Sequence, residues 1–330
     1  MKAYVIQNKQ LGIENVQLSD VEKPAIADNE VLIRTSYVGL NPVDYKLAEY
    51  GNDAWTMPHT LGLDVAGTIA LVGANVTAFD VGDRVAGHGD LRKNGSFAEY
   101  VAFPAYALAH IPSEVSEQTA AGLLCNAMTA YQAIHQKANL SKKRTILIHG
   151  GSGGVGLIAI QLAKRAGLTV YTTCSTGKIP FVKQLQPDAI IDYKSDDVTG
   201  RIRKLTAEQG VDMIVNTVGA DEATIDLNER LAYNGALIAL VGAPKIGDHN
   251  RLFDHGHTIS LVNLGGAHQS GNAQQKADLS AIATELLDMA AQGILDPMIS
   301  EVVPFDRLPA GLSNLKAGRT TGKVVVKISS

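Results

Sequence analysis

The segment His149-Gly150-Gly151-Ser152-Gly153-Gly154-Val155-Gly156 constrains this chain more than any other. It follows an apolar run, Thr145–His149, that reads as a strand, and it opens a helical pattern over Val155–Ala166. Gly151, Gly153 and Gly156 satisfy the spacing G-x-G-x-x-G. In that setting one glycine makes a tight turn, the next lets the backbone approach a pyrophosphate, and the third lets helix pack on strand. The free N–H groups and positive dipole of the helix start then hold the anion. With strand, helix and following strand in place, the spacing predicts a dinucleotide site. The same residues also read as Gly150-x-Ser152-x-Gly154, the turn that presents a nucleophilic serine in α/β-hydrolases, with Asp212 and His255 or His257 as downstream partners. Against that alternative, Gly156 has a role only in the dinucleotide turn.

Periodicity extends the reading in both directions. Further apolar runs at Leu168–Thr173, Ala189–Ile191, Asp212–Asn216, Ala236–Val241 and Thr258–Val262 alternate with helical stretches. That rhythm predicts an α/β domain with a doubly wound parallel sheet. The first third instead holds short strands cut by Gly, Pro, Asn and Asp: Lys2–Ile6, Val31–Val38, Val65–Val72, Arg84–Gly87 and Phe97–Ala102. These predict a small β-rich domain, followed by a helix over about Glu117–Ala138. Near the end, Leu279, Ile282, Leu286 and Met289 recur at helical spacing, and Val302–Val303 and Val324–Ile328 read as strands. The last of these needs a sheet, and the amino-terminal one is available. The expectation is therefore a discontinuous β-rich domain, residues 1–122 and 268–330, around a dinucleotide-binding domain at 123–267.

Charge sharpens the choice of nucleotide. Twenty-nine Lys and Arg against 33 Asp and Glu give a net charge of −4, which argues against a broad nucleic-acid surface. No acid occurs from Gln118 to Pro187, a stretch carrying eight Lys or Arg, so the remainder of the chain carries −12. An NAD site usually has an Asp or Glu about 20 residues past the first glycine. Here the corresponding strand ends in Cys174-Ser175-Thr176-Gly177-Lys178. Lys178 offers a cation and Ser175 a hydroxyl to a 2′-phosphate, so NADPH is expected. Lys178 equally fits a solvated surface lysine. Two cysteines cannot build a disulfide scaffold, and neither a signal-peptide pattern nor an apolar run near 20 residues is present. The expectation is a cytoplasmic protein without a membrane or nucleic-acid partner.

Several segments together carry a family resemblance. They are Val38-Gly39-Leu40-Asn41-Pro42-Val43-Asp44, Leu61-Gly62-Leu63-Asp64-Val65-Ala66-Gly67, Val81-Gly82-Asp83-Arg84-Val85, Gly95-Ser96-Phe97-Ala98-Glu99-Tyr100, Thr129-Ala130-Tyr131, the glycine loop, and Gly322-Lys323-Val324-Val325. With them the chain resembles the medium-chain dehydrogenase/reductase superfamily, in its zinc-free quinone oxidoreductase branch. The resemblance implies a split GroES-like catalytic domain, a Rossmann domain, a homodimer, and quinone or α,β-unsaturated carbonyl substrates. It implies that Asn41 lines the nicotinamide and substrate region and that Thr129 contacts the nicotinamide end. Ser152, Gly153, Gly154 and Val155 would bind the pyrophosphate, Tyr193 would pack by the adenosine phosphate, and Val218, Val241, Gly242, Leu264 and Gly265 would line the nicotinamide half. Tyr45-Lys46 departs from the Thr-Tyr of typical quinone reductases and resembles enone-reducing relatives, which makes Lys46 a candidate to polarise or protonate the substrate oxygen. A surface lysine fits there as well.

Zinc-binding members carry a Cys where this chain has Asn41 and a His where it has Leu63, so no metal is expected. A cluster at Asp248, His249, Asp254, His255 and His257 reads as a polar turn. The competing function, from another class, is a non-catalytic NADPH-binding protein.

Overall fold

The computed structural model describes residues 1–8, 11–247 and 249–328. Two compact units emerge, Met1–Met128 with Gly265–Ser330, and Thr129–Leu264. In the first, short strands form where turns punctuate the chain: β1 (Lys2–Ile6), β2 (Val16–Asp20), β3 (Glu30–Gly39), β4 (His59–Thr60), β5 (Asp64–Val72), β6 (Arg84–His88), β7 (Tyr100–Pro104) and β8 (Leu108–His110). Antiparallel pairing joins β3 to β5 and β7, β5 to β6, and β6 to β8.

The second unit contains β9 (Thr145–Ile148), β10 (Thr169–Cys174), β11 (Ala189–Asp192), β12 (Val211–Asn216), β13 (Leu231–Ala239) and β14 (Thr258–Leu261). They form one parallel sheet in the order β11-β10-β9-β12-β13-β14. Strand order reverses between β9 and β12, and ligands of such sheets bind outside the carboxyl ends at that reversal. Leu147, Ile191, Ile214 and Leu237 fill its core beneath the covering helices.

The tail returns to the first unit. β15 (Ile299–Pro304) runs parallel to β16 (Lys323–Lys327), and β16 pairs antiparallel with β3 through Val325–Gly39, Val326–Val38 and Lys327–Tyr37. Leu308, Val324 and Val326 share one apolar core with Ile6, Leu40 and Phe97. No helix among the described residues is long and apolar enough to cross a membrane.

Several elements differ from expectation for identifiable reasons. The strand expected at Phe97–Ala102 begins at Tyr100, because Phe97 is fully buried and its backbone bonds Leu61 and Tyr4 across a loop. β13 starts five residues before the expected Ala236, since Asn234 adopts a positive φ of 58° inside a register shift against β12. The helix at Glu117 ends at Tyr131 and continues only as a wide turn through Gln136. Pro42–Tyr50 is a helix that no apolar period announced.

That short helix starts from a buried cap. The Asn41 N–H donates to Asp44 Oδ2 at 2.7 Å, Pro42 occupies the first turn, and Asp44 is fully buried with Oδ1 unpartnered. Burial, reinforced by the nearby Asp64 charge, pushes the Asp44 carboxyl up to about 8 against the pull of Asn41 and Lys323. At neutral pH the folded chain therefore holds a proton that the unfolded chain, with its acid near 3.8, has released. This contribution to stability is complete below that lower value and is lost as pH rises toward the upper one. Asp44→Asn, which mimics the neutral acid, should gain on the parent by roughly 1 kcal/mol per pH unit between pH 5 and 8 in urea unfolding. Parallel pH profiles for the two proteins would contradict this.

In the second unit, a Cβ added to Gly156 would lie 2.2 Å from the Gly150 carbonyl oxygen and 2.9 Å from the Gly151 Cα. Both neighbours are backbone, so neither can rotate away. Gly156→Ala should destabilise the fold by about 2 kcal/mol, the cost of overpacking a tight contact, as read by chemical unfolding. An unchanged midpoint would refute the close approach.

Candidate active site

At the carboxyl end of β9 the chain turns sharply through Gly150, whose φ is 69°. The Gly150 N–H donates to Thr173 Oγ1 at 3.2 Å and the Gly151 N–H to the Thr173 carbonyl at 2.9 Å, which ties the turn to β10. Gly151 has no room for a side chain, since its Cβ would sit 2.2 Å from Thr172 Oγ1, whereas Gly153 meets only the Gly150 carbonyl at 3.4 Å. Gly153 thus has open space on its outer face, and it caps the helix Gly154–Arg165. The first backbone bond into that helix runs from Leu157 N–H to the Gly153 carbonyl, so the preceding N–H groups have no helical acceptor. No acid lies in the first turn. The residues expected at the pyrophosphate, Ser152, Gly153, Gly154 and Val155, make up this turn and helix start, with the Gly153 N–H already donated to the Gly150 carbonyl at 2.9 Å.

Ser175, Lys178, Tyr193, Val218, Val241 and Gly242 all follow the carboxyl ends of strands in this sheet. Ser175 follows β10 and opens the turn Thr176–Lys178, in which Lys178 is half-buried. The Tyr193 N–H donates to the Cys174 carbonyl at 3.2 Å, which brings Tyr193, half-exposed, beside that turn. Sequence reasoning missed Asp192, the last residue of β11. Its carboxylate accepts from the Thr176 hydroxyl and backbone and from the Lys194 N–H, and these bonds hold it below the usual carboxylate range. Asp192 thus ties the turn after β10 to the loop after β11. Val218 follows β12 and is exposed, while Val241 and Gly242 follow β13, with the Gly242 position facing Ala220. Thr129 and Leu264 lie at the two ends of the unit, and Gly265 belongs to the other one.

In the first unit Asn41 is buried, and both ends of its amide are used. Nδ2 donates to Asp64 Oδ2 at 2.8 Å and to the Gly39 carbonyl at 3.3 Å, while Oδ1 accepts from Lys323 Nζ at 2.6 Å. Asn41 therefore contributes geometry rather than a free polar atom. Tyr45 and Lys46 follow on the helix Pro42–Tyr50, both half-buried; burial pushes the Tyr45 phenol up, with Glu49 adding to it. Burial would raise the Asp64 acid, yet the Lys323 charge and the His88 hydrogen bond at 3.1 Å outweigh it and hold it low. Lys323 is only 2% exposed. It stands in the Gly322-Lys323-Val324-Val325 segment, the one sequence signal that marked it.

Asp64, His88 and Cys125 each bring a ligand atom within 4.8 Å of the others. The group does not fit a zinc ion. The Lys323 ammonium, 3.5 Å from Asp64 Oδ2, would face the metal's charge. Burial, with the Asp64 charge, raises the Cys125 thiol well above its normal range and disfavours the thiolate a metal needs. Leu63 offers no ligand atom. His149, Glu222 and Asp226 form a second such group, but Arg230 already bonds both carboxylates. Among the described residues of the sequence cluster near His255, no metal-ligand group forms, and Asp248 lies outside the described residues.

The hydrolase alternative fails on topology. Asp212 accepts from the Arg144 and Thr145 N–H groups at the amino end of β9, whereas Ser152 follows its carboxyl end. His255 and His257 precede β14 and so also lie at the amino ends of this parallel sheet. Neither an acid nor a histidine from this set can reach Ser152.

Comparison with known proteins agrees with this arrangement. Residues 27–113 match the alcohol dehydrogenase GroES-like domain, and residues 185–326 match a family described as zinc-binding dehydrogenase. The mitochondrial NAD(P)H oxidoreductase RTN4IP1 of Danio rerio is 30% identical, with 91% of this chain and 84% of that protein aligned. A quinone oxidoreductase from Pseudomonas syringae pv. tomato DC3000 superposes with a TM-score of 0.89 at 28% identity, covering 99% of this chain and all of that one. A mycobacterial protein solved in complex with NADPH superposes at 0.86 with 29% identity, over 99% and 100% of the two chains. The protein described here is an oxidoreductase with a nicotinamide nucleotide as cofactor, and it belongs to the quinone oxidoreductase branch of the medium-chain dehydrogenase/reductase superfamily.

Proposed function

We propose that this protein is an NADPH-dependent, zinc-independent reductase that delivers hydride to a quinone or an α,β-unsaturated carbonyl. The observation that carries the choice of nucleotide is the turn Ser175–Lys178 at the end of β10, set in a stretch of net charge +8. A 2′-phosphate there would meet the Ser175 hydroxyl and the Lys178 ammonium, and charge-assisted bonds of this kind are about twice as strong as neutral ones.

Bound in this cradle, the nicotinamide would supply hydride to an electron-poor carbon of the acceptor. The electron pair displaced onto the acceptor's oxygen then needs a hydrogen-bond donor and a proton. Oxidising an unactivated alcohol would call for a Lewis acid that the Asp64, His88 and Cys125 group does not fit, whereas a conjugated carbonyl needs only polarisation. Lys46 is the proposed proton donor, with Tyr45 beside it on the same helix. Asn41 is the positioning residue, since its amide joins the start of that helix to the Lys323–Asp64 pair. The thiol-rich zinc lobe of other superfamily members has no counterpart in a chain with two cysteines. A homodimer in the cytoplasm is the proposed working form; β14, which among the described residues pairs with β13 alone and carries Leu261 half-exposed, offers an edge for a partner.

Lys178→Ala should weaken NADPH binding about tenfold and leave NADH binding within about twofold, as read by calorimetry. Equal affinity for the two nucleotides in the parent, unaltered by the substitution, would refute the 2′-phosphate site. Lys46→Met should lower kcat for enones by about a hundredfold while the NADPH dissociation constant stays unchanged. Unchanged turnover removes Lys46 from the mechanism, and a parent that oxidises no NADPH at 340 nm with any quinone or enone would make the protein a binder rather than an enzyme.

A further inference from the structure

The crevice where strand order reverses has two lips, the turn after β9 and the turn after β12, and a single buried cluster touches both. His149, the residue before the glycine turn, places Nε2 2.9 Å from Asp226 Oδ1 and Nδ1 3.1 Å from Thr173 Oγ1. With the Nε2 proton donated to Asp226, Nδ1 accepts from the Thr173 hydroxyl, and the same oxygen takes the Gly150 N–H. On the other side, Asn216 Nδ2 donates to Asp226 Oδ2 at 2.8 Å. Asn216 Oδ1 in turn accepts the Val218 N–H at 3.1 Å and the Gly219 N–H at 3.0 Å, which fixes the turn carrying Val218. The Thr217 hydroxyl closes the circuit by donating to the His149 carbonyl at 2.7 Å.

Asp226 is fully buried, and Arg230 Nη1 bonds its Oδ1 at 2.8 Å. Arg230 also pairs with Glu222 and donates from Nε to Thr199. The guanidinium has a structural consequence for the carboxylate: Oδ1 is committed to the Arg230 and His149 side, which leaves Oδ2 for Asn216. Each oxygen serves one lip.

We propose that Asp226 is the positioning residue of the nucleotide crevice, its two oxygens separately holding the glycine turn through His149 and the Val218 turn through Asn216. No atom of Asp226 needs to touch the nucleotide for this role. Buried networks of this kind are rigid only when every member is satisfied, so loss of one acceptor should release one lip. The inference rests on the reading of this crevice as the seat of NADPH.

The two oxygens allow a directional test on the full-length protein. In Asp226→Asn the remaining oxygen should stay with Arg230 and His149, because an amide NH2 facing a guanidinium is repelled. Its NH2 then opposes the NH2 of Asn216. Hydrogen–deuterium exchange should therefore rise roughly tenfold at residues 216–220, while residues 149–154 and β10 keep the parent rate. Asp226→Ala should raise exchange at both segments. The KM for NADPH should rise about tenfold in Asp226→Asn, with kcat at saturating NADPH within about threefold of the parent.

Parent-like exchange at 216–220 in Asp226→Asn, or a rise at 149–154 instead, would overturn the proposal. So would a KM for NADPH within about twofold of the parent. If Asp226→Ala does not fold, the asparagine variant alone decides. A parent that takes up no NADPH would overturn the cofactor reading, and the exchange pattern would still decide whether one carboxylate holds both lips.

Discussion

The nucleotide side of this protein depends on how closely the helix Gly154–Arg165 approaches the turn before it. A methyl group at Gly156 would sit 2.2 Å from the Gly150 carbonyl, well inside van der Waals contact. Only hydrogen at that position lets the helix start lie against the turn that leaves the carboxyl end of β9. Gly150, with its positive φ, makes the turn, and Gly153 leaves the outer face open. The division of labour differs slightly from the simplest reading of G-x-G-x-x-G. The third glycine packs on the turn itself, and the tight conformation belongs to the glycine preceding the motif.

Each unit also carries a buried acid balanced by a cation from its own chain. In the first it is Asp64 with Lys323, and in the second Asp226 with Arg230. Breaking one partner of such a pair is costly because it strands the other's charge. In both places the acid is shared with a neutral amide, Asn41 or Asn216, that turns toward a functional segment. The internal cation also explains why the ligand-like groups around these acids are ill suited to a metal. A second positive charge would be placed against the first without displacing it.

What was legible in the sequence follows from how local each signal is. Apolar runs at β9, β10 and β12 announce strands covered on both faces, and the run Val324–Val326 announces a tail that must find a sheet. Helix Pro42–Tyr50 was silent because its start is set by a buried cap rather than an apolar stripe, whereas Leu308, Leu312 and Leu315 of Leu308–Lys316 do recur at helical spacing, a short signal overlooked beside Pro309 and Gly311. The first half of β13 was hidden because Asn234 bends within it. The buried clusters were invisible for a different reason. Lys323 and Asp64 meet across 259 residues and His149 and Asp226 across 77, and a charged residue gives no local sign that it will be buried. Asp192 escaped notice because its role depends on β11 lying beside β10, which places it against Cys174.

The glycine turn and the Ser175–Lys178 turn together form the proposed seat for a nucleotide carrying a 2′-phosphate. Calorimetric titration of the full chain with NADPH and with NADH tests it most directly. One site per chain is expected, with NADPH bound at least about tenfold more tightly than NADH. Absence of heat with either nucleotide, or equal affinity for both, would contradict it.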